Sequence, residues 1–157
     1  MRRLLRAPAV RRSAVLAAVV LVAIQLVPYG HDRTNPPVAA SVAWPSDRAE
    51  ALVRGACYDC HSNETDWPWY AQVAPMSWLV RRDVERGRDE LNLSTGDPDL
   101  DDAAEAVREG SMPPRQYELV HPGARLSASE RAELAALLEA LDDADDDDRS
   151  GSNRGRG

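Results

Sequence analysis

The chain has 157 residues, 43% of them hydrophobic and 5% aromatic, and a formal net charge of −7. That length allows one modest domain with appendages, and the apolar share suffices for a small core. Every basic residue is arginine, and the span 44–141 sets 10 Arg against 19 Asp plus Glu; nucleic-acid phosphates repel such a surface, which excludes a nucleic-acid partner.

The first twelve residues carry Arg2, Arg3, Arg6, Arg11 and Arg12, and the run 13–30 that follows is almost wholly apolar, with Gln25 its one strongly polar side chain. As a helix that run spans roughly 27 Å, enough to cross a hydrocarbon core. It predicts a single N-terminal transmembrane anchor. The basic flank 1–12 stays in the cytoplasm and the rest of the chain lies on the outer face of the cytoplasmic membrane. A cleaved signal segment is the competing reading, but no small-x-small site follows the run directly. Residues 31–43, with Pro36 and Pro37, read as an extended tether. The globular domain is placed at 44–141.

Asp47 is the expected cap of the first domain helix, with Glu50 as its reciprocal partner; Ala51, Leu52 and Ala56 are its apolar face. The helix runs into Cys57-Tyr58-Asp59-Cys60-His61, which uses both cysteines of the chain. On a helical turn, residues three and four apart share a face, so Cys57, Cys60 and His61 point one way. This spacing reads as a covalent c-type haem attachment site. Two thiols add to the two vinyl groups, and His61 binds the iron. A zinc site, a redox dithiol and a structural disulfide are the alternatives. Zinc normally asks for four protein ligands, with only His31 and His121 to add, and a dithiol of the thioredoxin kind asks for a βαβ context. After a polar loop comes Trp67-Pro68-Trp69-Tyr70. Three aromatics together need a large apolar surface to pack on, either a haem or an ordinary core.

Pro75 sits in the first turn of the next helix, which Gly87 is expected to end. Met76, Leu79, Val80 and Val84 are its predicted buried face. Arg81, Arg82, Arg86 and Arg88 are its basic side, and the fork of any one of them suits a haem propionate. Residues 91–97 read as a loop. Pro98 opens a helix that Gly110 closes, with Leu100, Ala103, Ala104 and Val107 as an inward stripe. Met112 then precedes Pro113 and Pro114, a stiff loop with few amide donors. His121-Pro122-Gly123 is a turn. Ser127 caps the last helix with Glu130 as box partner, and Leu134, Leu137, Leu138 and Leu141 face inward. The acidic and Gly/Ser/Arg tail 142–157 has nothing to bury and reads as disordered. No strand is predicted, so the fold class is all-α.

Several separated pieces occur together in one order: Cys57-Tyr58-Asp59-Cys60-His61-Ser62, Thr65-Asp66-Trp67-Pro68-Trp69-Tyr70, Ala74-Pro75-Met76-Ser77-Trp78-Leu79, Gly87-Arg88, Leu91-Asn92, Met112-Pro113-Pro114 with Tyr117, His121-Pro122, Leu126-Ser127 and Glu130-Arg131. With these the chain resembles the haem-binding domain family related to cytochrome c. The resemblance covers about two thirds of the chain. It departs at Leu93-Ser94-Thr95-Gly96, where more aromatic character is expected. The resemblance implies a small cytochrome-c-like helical bundle around one covalent haem c, with Trp67, Trp69 and Tyr70 in the cofactor lining.

His61 is then the proximal iron ligand and Met112 the distal one, since the resemblance places an axial methionine in such a proline loop. Met76 and His121 are the rivals. A neutral thioether stabilises the ferrous state, so a positive potential is expected, and a second histidine in its place lowers it. No hydrolytic triad or phosphate loop is present. The expected function is a membrane-anchored mono-haem c-type cytochrome, not an enzyme, that exchanges single electrons with a redox partner protein. The alternative is a haem-binding sensor or accessory module.

Overall fold

The structure is a computed structural model that describes residues 6–96 and 98–154, with side chains over 9–96 and 98–145. The expected basic positions Arg2 and Arg3, position 97 of the loop, and the end of the tail at 155–157 lie outside the described residues. Among those described, all regular structure is helical, as the sequence predicts. The chain divides into two units, Met1–Thr34 with Trp67–Asp83, and Asn35–Asp66 with Val84–Gly157.

In the first unit, α1 spans Arg6–Ile24. Among the described residues no helix is long and apolar enough to cross a membrane. This overturns the expected single-pass anchor over 13–30 and the location on the outer face of the cytoplasmic membrane that rested on it. The reason is where the helix starts and stops. Arg6, Arg11 and Arg12 fall inside it, while Leu26 and Val27 fall beyond its end. The apolar helical part, 13–24, is about 18 Å long, well short of a hydrocarbon core. The chain turns at Gln25, whose carboxamide pairs with both backbone groups of Ala74: Ala74 N–H donates to Oε1 at 2.9 Å and Nε2 donates to the Ala74 carbonyl at 3.0 Å. A one-turn 3-10 helix, Trp69–Gln72, follows Pro68.

Helix α4 spans Met76–Glu90; its first residues belong to the first unit and those from Val84 to the second. Its buried positions include Ser77, Val84 and Gly87, whereas Met76 and Leu79, expected inside, are 42% and 40% exposed. Gly87 does not end it. A Cβ there would lie 2.5 Å from the Cys60 carbonyl oxygen, so the glycine permits a close backbone approach and the helix continues through it.

The second unit holds α2 (Asp47–Ala56), α3 (Tyr58–His61), α5 (Asp101–Glu109), α6 (Arg115–Val120) and α7 (Ala128–Arg154). Ser46, one residue before the expected cap, closes the start of α2 by accepting from Ala49 N–H at 3.2 Å. Glu50 instead pairs with Arg54 one turn on, at 2.7 Å. Helix α5 starts later than Pro98. Its first free amide, on Leu100, donates to Asp142 Oδ1 at 3.1 Å. Gly110 closes it in the left-handed region (φ 78°), a conformation only glycine adopts without a Cβ penalty.

At α7 the predicted box is present. Glu130 N–H donates to Ser127 Oγ at 3.2 Å, and Ser127 N–H donates to Glu130 Oε2 at 2.9 Å. Once nucleated, each added residue gains a hydrogen bond, and the helix runs past Leu141 through the aspartate run, where disorder was expected. Helix α6 precedes the predicted turn at 121–123 and occupies a stretch where the sequence predicts no element.

The core of this unit gathers Val53, Tyr58, Leu93, Leu100, Ala104, Val107, Leu134 and Leu138. Burying each aliphatic side chain fully contributes about 1.5–3 kcal/mol. The segment 35–43 has no regular secondary structure, and it is docked. Ala39 and Ala40 amides donate to the Ser94 carbonyl at 3.0 and 3.2 Å, and Asn63 Nδ2 donates to the Pro37 carbonyl at 2.8 Å.

Candidate functional site

Cys57 is the break between α2 and α3, with φ −124° and ψ −37°. Its carbonyl accepts from Cys60 N–H at 3.2 Å and His61 N–H at 2.9 Å. These bonds close one helical turn, and residues three and four apart on such a turn share a face. Cys57 and Cys60 are half-buried and not joined in a disulfide. Burial first, and the neighbouring Cys60 second, push the Cys57 thiol up to about 12; loss of solvation disfavours the thiolate.

The imidazole of His61 is fixed from its far side. Nδ1 lies 3.2 Å from the Leu91 carbonyl oxygen. A carbonyl only accepts, so Nδ1 carries the proton and Nε2 keeps its lone pair. Leu91 is itself held, its N–H donating to Gly87 carbonyl at 2.9 Å, and Leu93 N–H donates back to the His61 carbonyl at 2.8 Å.

A cavity of about 350 Å³ opens beside this turn, lined by Cys57, His61, Met112 and Pro113 together with Val53, Leu91, Leu93, Val107 and Leu138. That size is ordinary for a cofactor site. Met112 reaches it from the loop between α5 and α6. Ser111 and Met112 amides both donate to the Ala106 carbonyl, at 3.1 and 3.2 Å. Glu90 at the end of α4, Asp99 in the α4–α5 connection and Asp102 in the first turn of α5 are on the lining too; the sequence did not single them out, because acidic residues there read as outer helix faces. Leu93 and Ser94, where the family pattern is broken, are 2% and 1% exposed; an aliphatic side chain fills that part of the wall.

Other expected residues are elsewhere. Trp67, Trp69 and Tyr70 belong to the first unit and are not in the cavity lining. Trp69 is 77% exposed and meets Tyr70 edge to face at 5.9 Å. Met76 is also in the first unit. His121 is not among the lining residues and stacks on Tyr117 with ring centroids 4.1 Å apart. The lining holds no arginine. Arg88 donates to the Ser62 carbonyl at 2.7 Å, to Thr65 Oγ1 at 2.8 Å and to Asn35 Oδ1 at 2.9 Å.

Two contacts that bear on the site come from residues whose role no local pattern announces. Asp59, inside the Cys-x-x-Cys-His turn, accepts from Tyr117 Oη at 2.6 Å and from Asp66 N–H at 3.0 Å. Arg131 Nη1 donates to the carbonyls of both Val107 and Met112, each at 2.8 Å. Both Tyr117 and Arg131 fall in the sequence pieces quoted above, but pairing across 58 or 19 positions leaves no mark in spacing.

The donor set fits a covalent haem. Two thiols sit on one turn, and Cys57, the His61 imidazole and the Met112 thioether line the same cavity, while Cys60 is not among its lining residues. Among the described residues no group of three or more His, Cys, Asp or Glu is placed to hold a metal ion.

A family model described as a haem-binding domain matches residues 19–140. Comparison with curated proteins and with solved structures found no match.

Proposed function

The chain belongs to the haem-binding domain family, and from that premise we propose that it binds one haem c through Cys57 and Cys60 and exchanges single electrons with a redox partner protein. The observation that carries this reading is the convergence of Cys57, His61 and Met112 on one cavity. When bound, the group supplies a one-electron iron couple. The chain would supply attachment through Cys57 and Cys60, iron ligands from His61 and Met112, and a partly apolar pocket.

Cys57 and Cys60 would form the thioether bonds. His61 would hold the iron through Nε2 while Leu91 fixes the ring and its tautomer, an arrangement that strengthens a metal-bound imidazole. Met112, on the same cavity lining, would hold it through Sδ. Pro113 and the aliphatic part of the lining would limit contact with solvent, and a neutral thioether would favour the reduced state. With His61 and Met112 both holding the iron, no open position would serve substrate turnover, so the chain is read as a carrier and not as an enzyme. A sensor needs a distal ligand that leaves easily. The hydrogen bonds holding the Met112 loop speak against that.

The test is an absorption spectrum in both oxidation states, on protein made in a host with a working c-haem attachment system. A carrier gives low-spin spectra in both states that carbon monoxide leaves unchanged. Ready binding of carbon monoxide to the reduced protein would reject the carrier reading.

A further inference from the structure

We propose that Arg131 is the positioning residue that holds Met112 ready for ligation, a role that rests on reading Met112 as the distal ligand. The loop that carries Met112 has few means of fixing itself. Pro113 and Pro114 follow it and have no amide hydrogen, so its own donors end with Ser111 and Met112, both spent on the Ala106 carbonyl. The Met112 carbonyl, the last handle before the prolines, accepts from Arg131 Nη1 at 2.8 Å. The same nitrogen donates to the Val107 carbonyl at 2.8 Å. One charged group thus ties the end of α5 to the methionine loop, and charged donors make the stronger hydrogen bonds.

Arg131 is well placed to act as a fixed point. It leaves the first turn of α7, where its own N–H donates to the Ser127 carbonyl at 2.9 Å and the Ser127–Glu130 box fixes the helix start. One turn on, Leu134 is fully buried in the core. The Glu118 carboxylate, 3.9 Å from Nη2, offsets the guanidinium charge on the side away from the loop carbonyls. With the loop backbone already ordered, the thioether loses little conformational freedom on binding; without it, that entropy opposes ligation.

The experiment follows the thioether-to-ferric charge-transfer band while imidazole displaces the distal ligand, in wild type, R131Q, E118Q and M112A, at a temperature where circular dichroism shows each variant folded. In R131Q, loss of charge-assisted bonds predicts displacement at roughly tenfold lower imidazole or lower still. E118Q keeps both carbonyl bonds and should stay within about twofold of wild type; a shift equal to that of R131Q would show that charge, not the loop bonds, is responsible, and would overturn the proposal. Wild-type displacement in folded R131Q would overturn it directly. Should R131Q fail to fold, R131K, whose single ammonium lacks the planar fork, must move the midpoint in the same direction, and a wild-type midpoint there rejects the role. M112A separates the two claims. If it titrates as wild type does, the ligand assignment falls and takes Arg131's role with it; if M112A differs and R131Q does not, only Arg131's role falls.

Discussion

Nδ1 of His61 lies 3.2 Å from the carbonyl oxygen of Leu91. The two segments grip each other, because Leu93 N–H returns a bond to the His61 carbonyl. The orientation of the imidazole is therefore set by where α4 ends, and Gly87 lets the last turns of α4 pass close to Cys60.

That closeness predicts the effect of Gly87→Ala. The added Cβ would stand 2.5 Å from the Cys60 carbonyl oxygen and 2.9 Å from its carbonyl carbon, both backbone atoms that cannot swing aside. Overpacking of this kind costs about 1–3 kcal/mol. Urea denaturation should show the lower midpoint, and the yield of haem-loaded protein should fall with it. An unchanged midpoint would mean that α4 and the Cys-x-x-Cys-His turn separate freely.

Met112→His exchanges a neutral thioether for an imidazole in the cavity. A bis-imidazole iron has a lower potential than an imidazole–thioether one. Redox titration should show the midpoint potential moving down, with both states still low-spin. A potential that does not move would remove Met112 from the iron.

Asp142 has a structural task. Its Oδ1 accepts from Leu100 N–H at 3.1 Å, satisfying a helix-start amide from a distant element. Asp142→Ala should cost about 0.5–2 kcal/mol, the range for losing such a cap, measured by thermal or urea unfolding. Truncating the chain after position 145 keeps this bond and should cost much less.

Hydrogen bonds from the Ser127 hydroxyl and then its amide hold the Glu130 carboxyl below its ordinary value of 4.5. A carboxyl depressed in the folded state adds stability that is present above its unfolded value. That stability is lost as pH falls through the lower folded value. Urea midpoints should therefore drop as the pH is taken below about 4.5, and Ser127→Ala, which removes the hydroxyl donor, should flatten that dependence. An equally steep fall in Ser127→Ala would assign the acid sensitivity to other carboxylates.

What the sequence made legible was what is coded locally. The Ser127–Glu130 box, the Leu100–Ala104–Val107 stripe and the Leu134–Leu138 face depend on spacing within a few residues, and all three stand where the pattern put them. At the site, the turn from Cys57 to His61 is local in the same way. What spacing could not show is distance in space. Gly87 carries the mark of a helix stop, yet its glycine serves a contact with a residue in α3. Ser46 and Asp47 are both good caps, and the reciprocal partner at Glu50 favoured the wrong one because Glu50 had a closer use in Arg54. The apolar run 13–30 has the composition of a span, but Gln25 finds both backbone groups of Ala74 and the helix stops before it. Arg131 and Asp59 act across the fold through two side-chain hydrogen bonds each, which no periodicity records.

The most direct measurement is acid-acetone extraction of the protein and of its Cys57→Ala/Cys60→Ala variant, both made alongside a working c-haem attachment system. In wild type the haem absorbance should stay with the precipitated polypeptide, and in the double variant it should pass into the solvent. A colourless wild-type protein, or one whose haem is fully extracted, would contradict covalent attachment at Cys57 and Cys60.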